Sequence, residues 1–220
     1  MALGPRLKWI KSELKEKKNL TILFIISLTL SFLIVRNFEV NYLLNSILIG
    51  SALYLFFVTT TVFFKKRNER LGQNLAHFGF SLLILSILFN NFFSKETITN
   101  LKVGENYKNN QIEIIFNDLT KENKKNYVSY TGIFTVKNNN FNGTLKPELR
   151  VYNQPKTITS EADIKISLLR DNFITINNVE NEDYFNVRYL VKPFMLWIWV
   201  SVILIILGGL ISLSRKIYEK

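Results

Sequence analysis

His77 is the one histidine of this 220-residue chain, and it sits inside the apolar stretch LGQNLAHFGFSLLILSIL. Cysteine is absent, which removes disulfides, thiolate nucleophiles and zinc-thiolate sites from the chain. On a helix Gln73, His77 and Ser81 follow one another at four-residue spacing and share a face, with Asn74 and Gly79 close by. An imidazole in an apolar segment is costly without a partner. This face is therefore expected to point inward rather than at lipid, with Gly79 letting a second surface approach. Two chemistries satisfy the ring. Either it hydrogen-bonds to another helix, or its neutral nitrogen is an axial ligand to an iron such as that of haem. Six-coordinate iron needs a second ligand, for which Met1 and Met195 are poorly placed. A second histidine would have to come from another polypeptide.

The carboxylates offer less. Glu148, Glu161, Asp163, Asp171, Glu182 and Asp183 are plentiful in the second half, and none adjoins a histidine or cysteine. A solvated surface accounts for them, with a hydrolytic carboxylate pair as the alternative. No G-x-S-x-G, P-loop or H-E-x-x-H motif is present, and the Asn142-Gly-Thr144 sequon reads as turn chemistry.

The elements that hold His77 are membrane helices. Windows 20–35, 42–64, 71–93 and 194–213 are apolar over lengths near the ~20 residues that a span needs. Window 20–35 is short and borrows Asn19 or Arg36 as a snorkelling end. It follows a basic stretch as a signal peptide would, but no small-residue cleavage site comes after it, so it reads as a retained helix. The net charge of +11 is concentrated beside these windows: in residues 1–19, in the KKRNER link at 65–70, and in the tail 214–220. Segment 95–192 is nearly balanced, with 14 basic and 12 acidic residues. Charge placed this way is a topology signal rather than a nucleic-acid site. By the positive-inside rule the N-terminus and tail are cytoplasmic and 95–192 is extracytoplasmic. His77 then lies roughly 9 Å into the third span from its cytoplasmic end.

Segment 95–192 changes period. QIEIIFNDL, YVSYTGIFTVK, ELRVYN, DIKISLL, NFITIN and FNVRYLV alternate every second residue, and turn-forming clusters separate them. The expected fold is an α-helical integral membrane protein of four transmembrane helices with an inserted extracytoplasmic antiparallel β-domain. Six or seven strands would form a small barrel or sandwich. The KNNN stretch reads as a hairpin turn, and Pro147 and Pro155 suit strand ends or edges. SEADIKISLL is open to a short helix with Ser160 as cap and Asp163 in its first turn.

Four stretches together carry a family likeness: MALGPRLKW before the first window, LGQNLAHFGF opening the third, LKPELRVYNQPKTITSEADI in the β-domain, and VRYLVKPFMLWIWVSVILIILGGLISL at the end. In order and spacing, over nearly all 220 residues, the chain resembles the C-terminal part of the CcmF family of cytochrome c maturation haem lyases. The resemblance implies a membrane component of the machinery that attaches haem covalently to apocytochrome c. It makes His77 an axial ligand to haem b, the second histidine coming from another chain or a missing N-terminal part. The implied partners are that N-terminal portion, a membrane-tethered haem chaperone, apocytochrome c with its thiol-reducing delivery proteins, and the lipid bilayer, with no nucleic acid. The implied location is the bacterial inner membrane with the β-domain in the periplasm, or else the mitochondrial inner membrane. The family's tryptophan-rich haem-handling motif and its external histidines have no counterpart here, where the tryptophans are Trp9, Trp197 and Trp199. No catalytic residue is therefore expected on this chain. A subunit or fragment of a split lyase is the implied reading, and a non-catalytic membrane scaffold with a partner-binding β-domain is the alternative.

Overall fold

The computed structural model describes residues 14–36, 41–65, 70–178 and 183–218. The basic stretch 1–13, most of the KKRNER link, and Glu182 lie outside them. The chain divides into two compact units, a helical one (1–92 with 194–220) and a β-unit (93–193).

The helical unit contains α1 (Leu14–Val35), α2 (Tyr42–Lys65), α3 (Leu71–Phe93) and α4 (Met195–Tyr218), of 22 to 24 residues each. At ~1.5 Å per residue each is about 33–36 Å long, enough to cross the hydrocarbon core. All four are apolar enough to do so. Small residues bring the helices together. A Cβ added at Gly50 of α2 would lie 2.9 Å from Leu28 Cδ2 and 3.0 Å from Ser31 Oγ of α1. Ser27 and Ser31 are buried and return their hydroxyl protons to the carbonyls of Leu23 and Leu28, so their polar groups are satisfied within the helix. Val35, Ile49, Ala52, Leu53 and Leu85 form the buried helical core.

The β-unit holds ten strands: β1 (Lys95–Leu101), β2 (Asn106–Lys108), β3 (Ile112–Asn123), β4 (Tyr127–Asn138), β5 (Phe141–Leu145), β6 (Glu148–Asn153), β7 (Lys156–Glu161), β8 (Asp163–Lys165), β9 (Arg170–Asn178) and β10 (Phe185–Pro193). They form a four-stranded sheet, β1-β10-β9-β8, and a six-stranded sheet, β2-β3-β4-β6-β7 with β5 also on β4. All pairings are antiparallel. Alternate residues of β3 (Ile112, Ile114, Phe116), β4 (Phe134, Val136), β9 (Ile174, Ile176) and β10 (Val187, Tyr189) meet in one core. The Phe116 and Phe134 rings stack there at 4.3 Å. Tyr189 ties the sheets together: its hydroxyl donates to Asn172 Oδ1 (2.6 Å) within its own sheet and accepts from Asn138 Nδ2 (3.0 Å) of the other.

The four helices and antiparallel sandwich agree with the fold class read from the sequence. The Asn138–Phe141 hairpin forms as expected, with the Asn140 amide bonded to Asn138 Oδ1. Pro147 and Pro155 lie between strands. Two local expectations are corrected. The short helix from Ser160 does not form, because Ser160 belongs to β7 and donates to the Ile176 carbonyl across the sandwich (2.7 Å). Asp163 opens β8 and accepts from the Lys146 amide instead of standing in the first turn of a helix. The Asn142-Gly-Thr144 sequon lies in strand β5 rather than in a turn, Asn142 pairing with Lys137.

Candidate functional site

Helix α3 starts from Arg70, whose carbonyl accepts the first helical bond from the Asn74 amide (3.0 Å). Two of its sides are committed to neighbours. Toward α4 it presents Gly72, Ala76 and Gly79, and the backbones close: a Cβ on Gly72 would stand 2.6 Å from Ser212 N, and one on Gly79 would stand 3.0 Å from Ile205 N and Ser201 O. Toward α2 it presents Phe78, stacked on Phe63 (5.4 Å) and tilted against Phe56 (5.8 Å). Ser81 joins this seam, its hydroxyl sharing a buried 2.6 Å hydrogen bond with Thr59.

His77 lies at the edge of the α2 seam. One turn toward the C-terminus Ser81 is buried, one turn toward the N-terminus Gln73 is exposed, and His77 between them is half-buried. The three were expected to point inward together; Ser81 is buried and bonded to Thr59 of α2, His77 is half-buried and Gln73 is exposed. An interhelical hydrogen bond was one expectation for the histidine, and on this seam it is Thr59 and Ser81 that make one. The remaining side of α3 turns Gln73, Phe80, Ile87 and Asn91 outward, with His77 at its edge. The one imidazole could give a single ligand to a metal, with Gln73, Asn74, Phe80 and Ser81 one helical turn away. The chain has no second histidine to complete a bis-histidine site. Among the described residues no group of three or more His, Asp or Glu side chains could hold a metal ion.

The sandwich carries a polar cluster that the sequence reading treated as solvated surface. Glu148, Arg150 and Tyr152 alternate along β6 and share the face turned from the core. Arg150 Nη2 donates to Glu148 Oε2 (2.7 Å), its other terminal nitrogen lies 3.7 Å from Glu161, and the guanidinium sits over the Tyr127 ring at 5.3 Å. The buried Ser129 hydroxyl also donates to Glu148. The Arg150 bond holds the Glu148 carboxyl below the ordinary carboxylate range, against the opposing effect of burial. The same bond raises the guanidinium above its ordinary value. The carboxylates Glu148 and Glu161 are thus tied to an arginine, not poised as a hydrolytic pair. Their signal was legible as P-E-L-R-V-Y, in which every second residue is polar or aromatic on one strand face.

Residues 92–193 match the family model described as the CcmF C-terminal β-sandwich. The β-unit is thus a CcmF C-terminal β-sandwich, and the chain as a whole is similar to the C-terminal part of CcmF proteins. The cytochrome c-type biogenesis protein CcmF of Escherichia coli is 25% identical over 233 residues, which cover 100% of this chain and 36% of that protein. The CcmF of Haemophilus influenzae is 29% identical over 149 residues, covering 67% of this chain and 23% of that one. A solved structure titled Cytochrome c Heme Lyase CcmF superposes with a TM-score of 0.72 at 18% identity, over 95% of this chain and 36% of the other. The chain therefore spans about a quarter to a third of the CcmF proteins it matches. With four helices long and apolar enough to cross a bilayer and this similarity to CcmF proteins, it is a multi-pass membrane protein.

Proposed function

We propose that this chain is the C-terminal portion of a membrane haem lyase of cytochrome c maturation, and that His77 supplies one axial ligand to a haem b completed by the N-terminal portion. The observation that carries the reading is the coincidence of similarity to CcmF over the whole of this chain with one half-buried imidazole at the edge of the α2 seam of α3. An imidazole edge and an amide on a membrane helix call for a polar or metal partner, and a lipid-facing surface offers neither. Bound at this place, haem b supplies a one-electron redox centre. The chain's own residues then hold and aim the ligand. Gly72, Gly79 and Gly208 lock α3 onto α4, and Phe78 with the Thr59–Ser81 bond fixes its rotation against α2, which sets the direction of the ring. The ligation chemistry itself belongs to the N-terminal portion. The sandwich is assigned to the extracytoplasmic side, where the haem chaperone and apocytochrome c meet the lyase; the basic flanks support that orientation.

The test is co-purification of this chain with its N-terminal portion and a reduced-minus-oxidised spectrum, before and after His77→Ala. The b-type absorbance is expected to fall away in the variant while the two portions still co-purify. An unchanged spectrum sinks the ligand assignment. Co-purification without any b-type spectrum in the native pair favours a scaffold instead.

A further inference from the structure

The connection between β8 and β9 reads Ile166-Ser167-Leu168-Leu169, with Lys165 before it and Arg170 after it. Ile166 and Leu168 are each 69% exposed and Leu169 is 59% exposed, in a domain whose core residues are almost wholly covered. The loop is held in that posture. The Ser167 amide donates to the buried carboxylate of Asp171 (3.1 Å), the Arg170 amide donates to Ser167 Oγ (3.2 Å), and that hydroxyl donates in turn to the Arg170 carbonyl. These bonds pin the turn at Ser167 and Arg170, while its three aliphatic side chains stay exposed.

Strand register locates the loop. Lys165 pairs with Asn172, Asp171 with Lys192, Arg170 with Pro193, and Lys95 with Val191. The loop therefore lies at the end of the four-stranded sheet where β1 begins and β10 finishes. β1 begins at Lys95, two residues after α3 ends at Phe93, and β10 finishes at Pro193, two residues before α4 begins at Met195. Two residues span at most about 7 Å, and β9 stands two strands from β1, or about 10 Å. An apolar triplet bracketed by basic residues, at the sheet end where the chain leaves one membrane helix and enters the next, has the chemistry of an interfacial lipid contact: aliphatic groups at the acyl boundary and cations at the phosphates.

We propose that the β8–β9 loop anchors the sandwich on the bilayer, with Ile166, Leu168 and Leu169 entering the interfacial region and Lys165 and Arg170 meeting acidic headgroups. The chain has no cysteine, so Leu169→Cys gives a single site for an environment-sensitive fluorophore. Lys125→Cys, on the exposed β3–β4 turn at the far end of the sandwich, serves as the control. Both are reconstituted as full chains in nanodiscs of phosphatidylethanolamine and phosphatidylglycerol, with the fold checked by circular dichroism. The label at 169 is expected to be quenched several-fold more than that at 125 by lipids spin-labelled high on the acyl chain. Adding Lys165→Glu and Arg170→Glu is expected to weaken that quenching. Equal quenching of both labels by aqueous iodide overturns the proposal. So does protection at 169 that appears only when the N-terminal portion is present and without lipid quenching, which would mean that a protein covers the loop.

Discussion

Tyr189 concentrates in one side chain the problem of joining two sheets without disulfides. Its ring is core and its hydroxyl spans the layers, bonded on one side to Asn172 and on the other to Asn138. Tyr189→Phe keeps the packing and leaves two amide groups short of a partner. The expected loss is about 1–2 kcal/mol of sandwich stability, read from the midpoint of denaturant unfolding. Burial pushes the Tyr189 phenol up to about 12 from the ordinary 10.0, although the Asn138 bond works the other way. The folded form thus keeps its proton where the unfolded chain has lost it. This contribution to stability is complete below pH ~10 and is lost as the pH rises from there to the folded value. Alkaline unfolding of the native protein should show that decline and Tyr189→Phe should flatten it; parallel profiles would show that the phenol does not govern this range. At this scale the sequence was half legible. His77 stood out because it is the one histidine, whereas Tyr189 is one of nine tyrosines, and nothing local marks the one that bridges two strands 51 residues apart.

Among the elements, α4 carries a contrast between neighbours. A Cβ on Gly208 would fall 2.5 Å from Ala76 N and 2.6 Å from Gly72 O of α3, while one on Gly209 meets nothing within 4 Å. Gly208→Ala is therefore expected to force two backbones apart, at about 1–3 kcal/mol, and Gly209→Ala to be neutral or slightly stabilising through helix propensity. Thermal unfolding in detergent compares them; equal melting temperatures would mean that the α3–α4 contact is looser than described. Helices were readable from the sequence because each span is apolar over its full length. Strands were readable where one face is buried and the other is not, as in β3, β4, β9 and β10. The missed ones are edges or fragments. β1 buries Leu101 but exposes Ile98, β2 has three residues, and β7 leaves Ile158 outward, so the period-two signal is faint there. The β7–β8 stretch was open to a helical reading because Ser160 suits a helix cap and Asp163 its first turn. A partner across the sandwich decided their use.

At the level of the whole molecule, the β-unit has its own core and sheet pairings, and without cysteine it is held by packing and hydrogen bonds rather than disulfides. Residues 93–193 expressed alone are expected to fold and to unfold in one cooperative transition, with stability of order 5–10 kcal/mol. Circular dichroism and amide exchange check this; a chain that is unstructured alone would mean that the helices complete the sandwich. The pairing of Lys95 with Val191 has a further consequence, for the entropy of the connection between α3 and α4. A flexible tether of about a hundred residues would cost closure entropy that grows with its length. Here folding brings the two ends of the tether to neighbouring-strand distance, about 5 Å, so the third and fourth helices are linked as closely as by a hairpin. Energetically the domain is a cassette: a few-residue turn in place of 95–192 leaves the helices with nearly the same covalent restraint, and their own packing at Gly72 and Gly208 then decides whether they stay together.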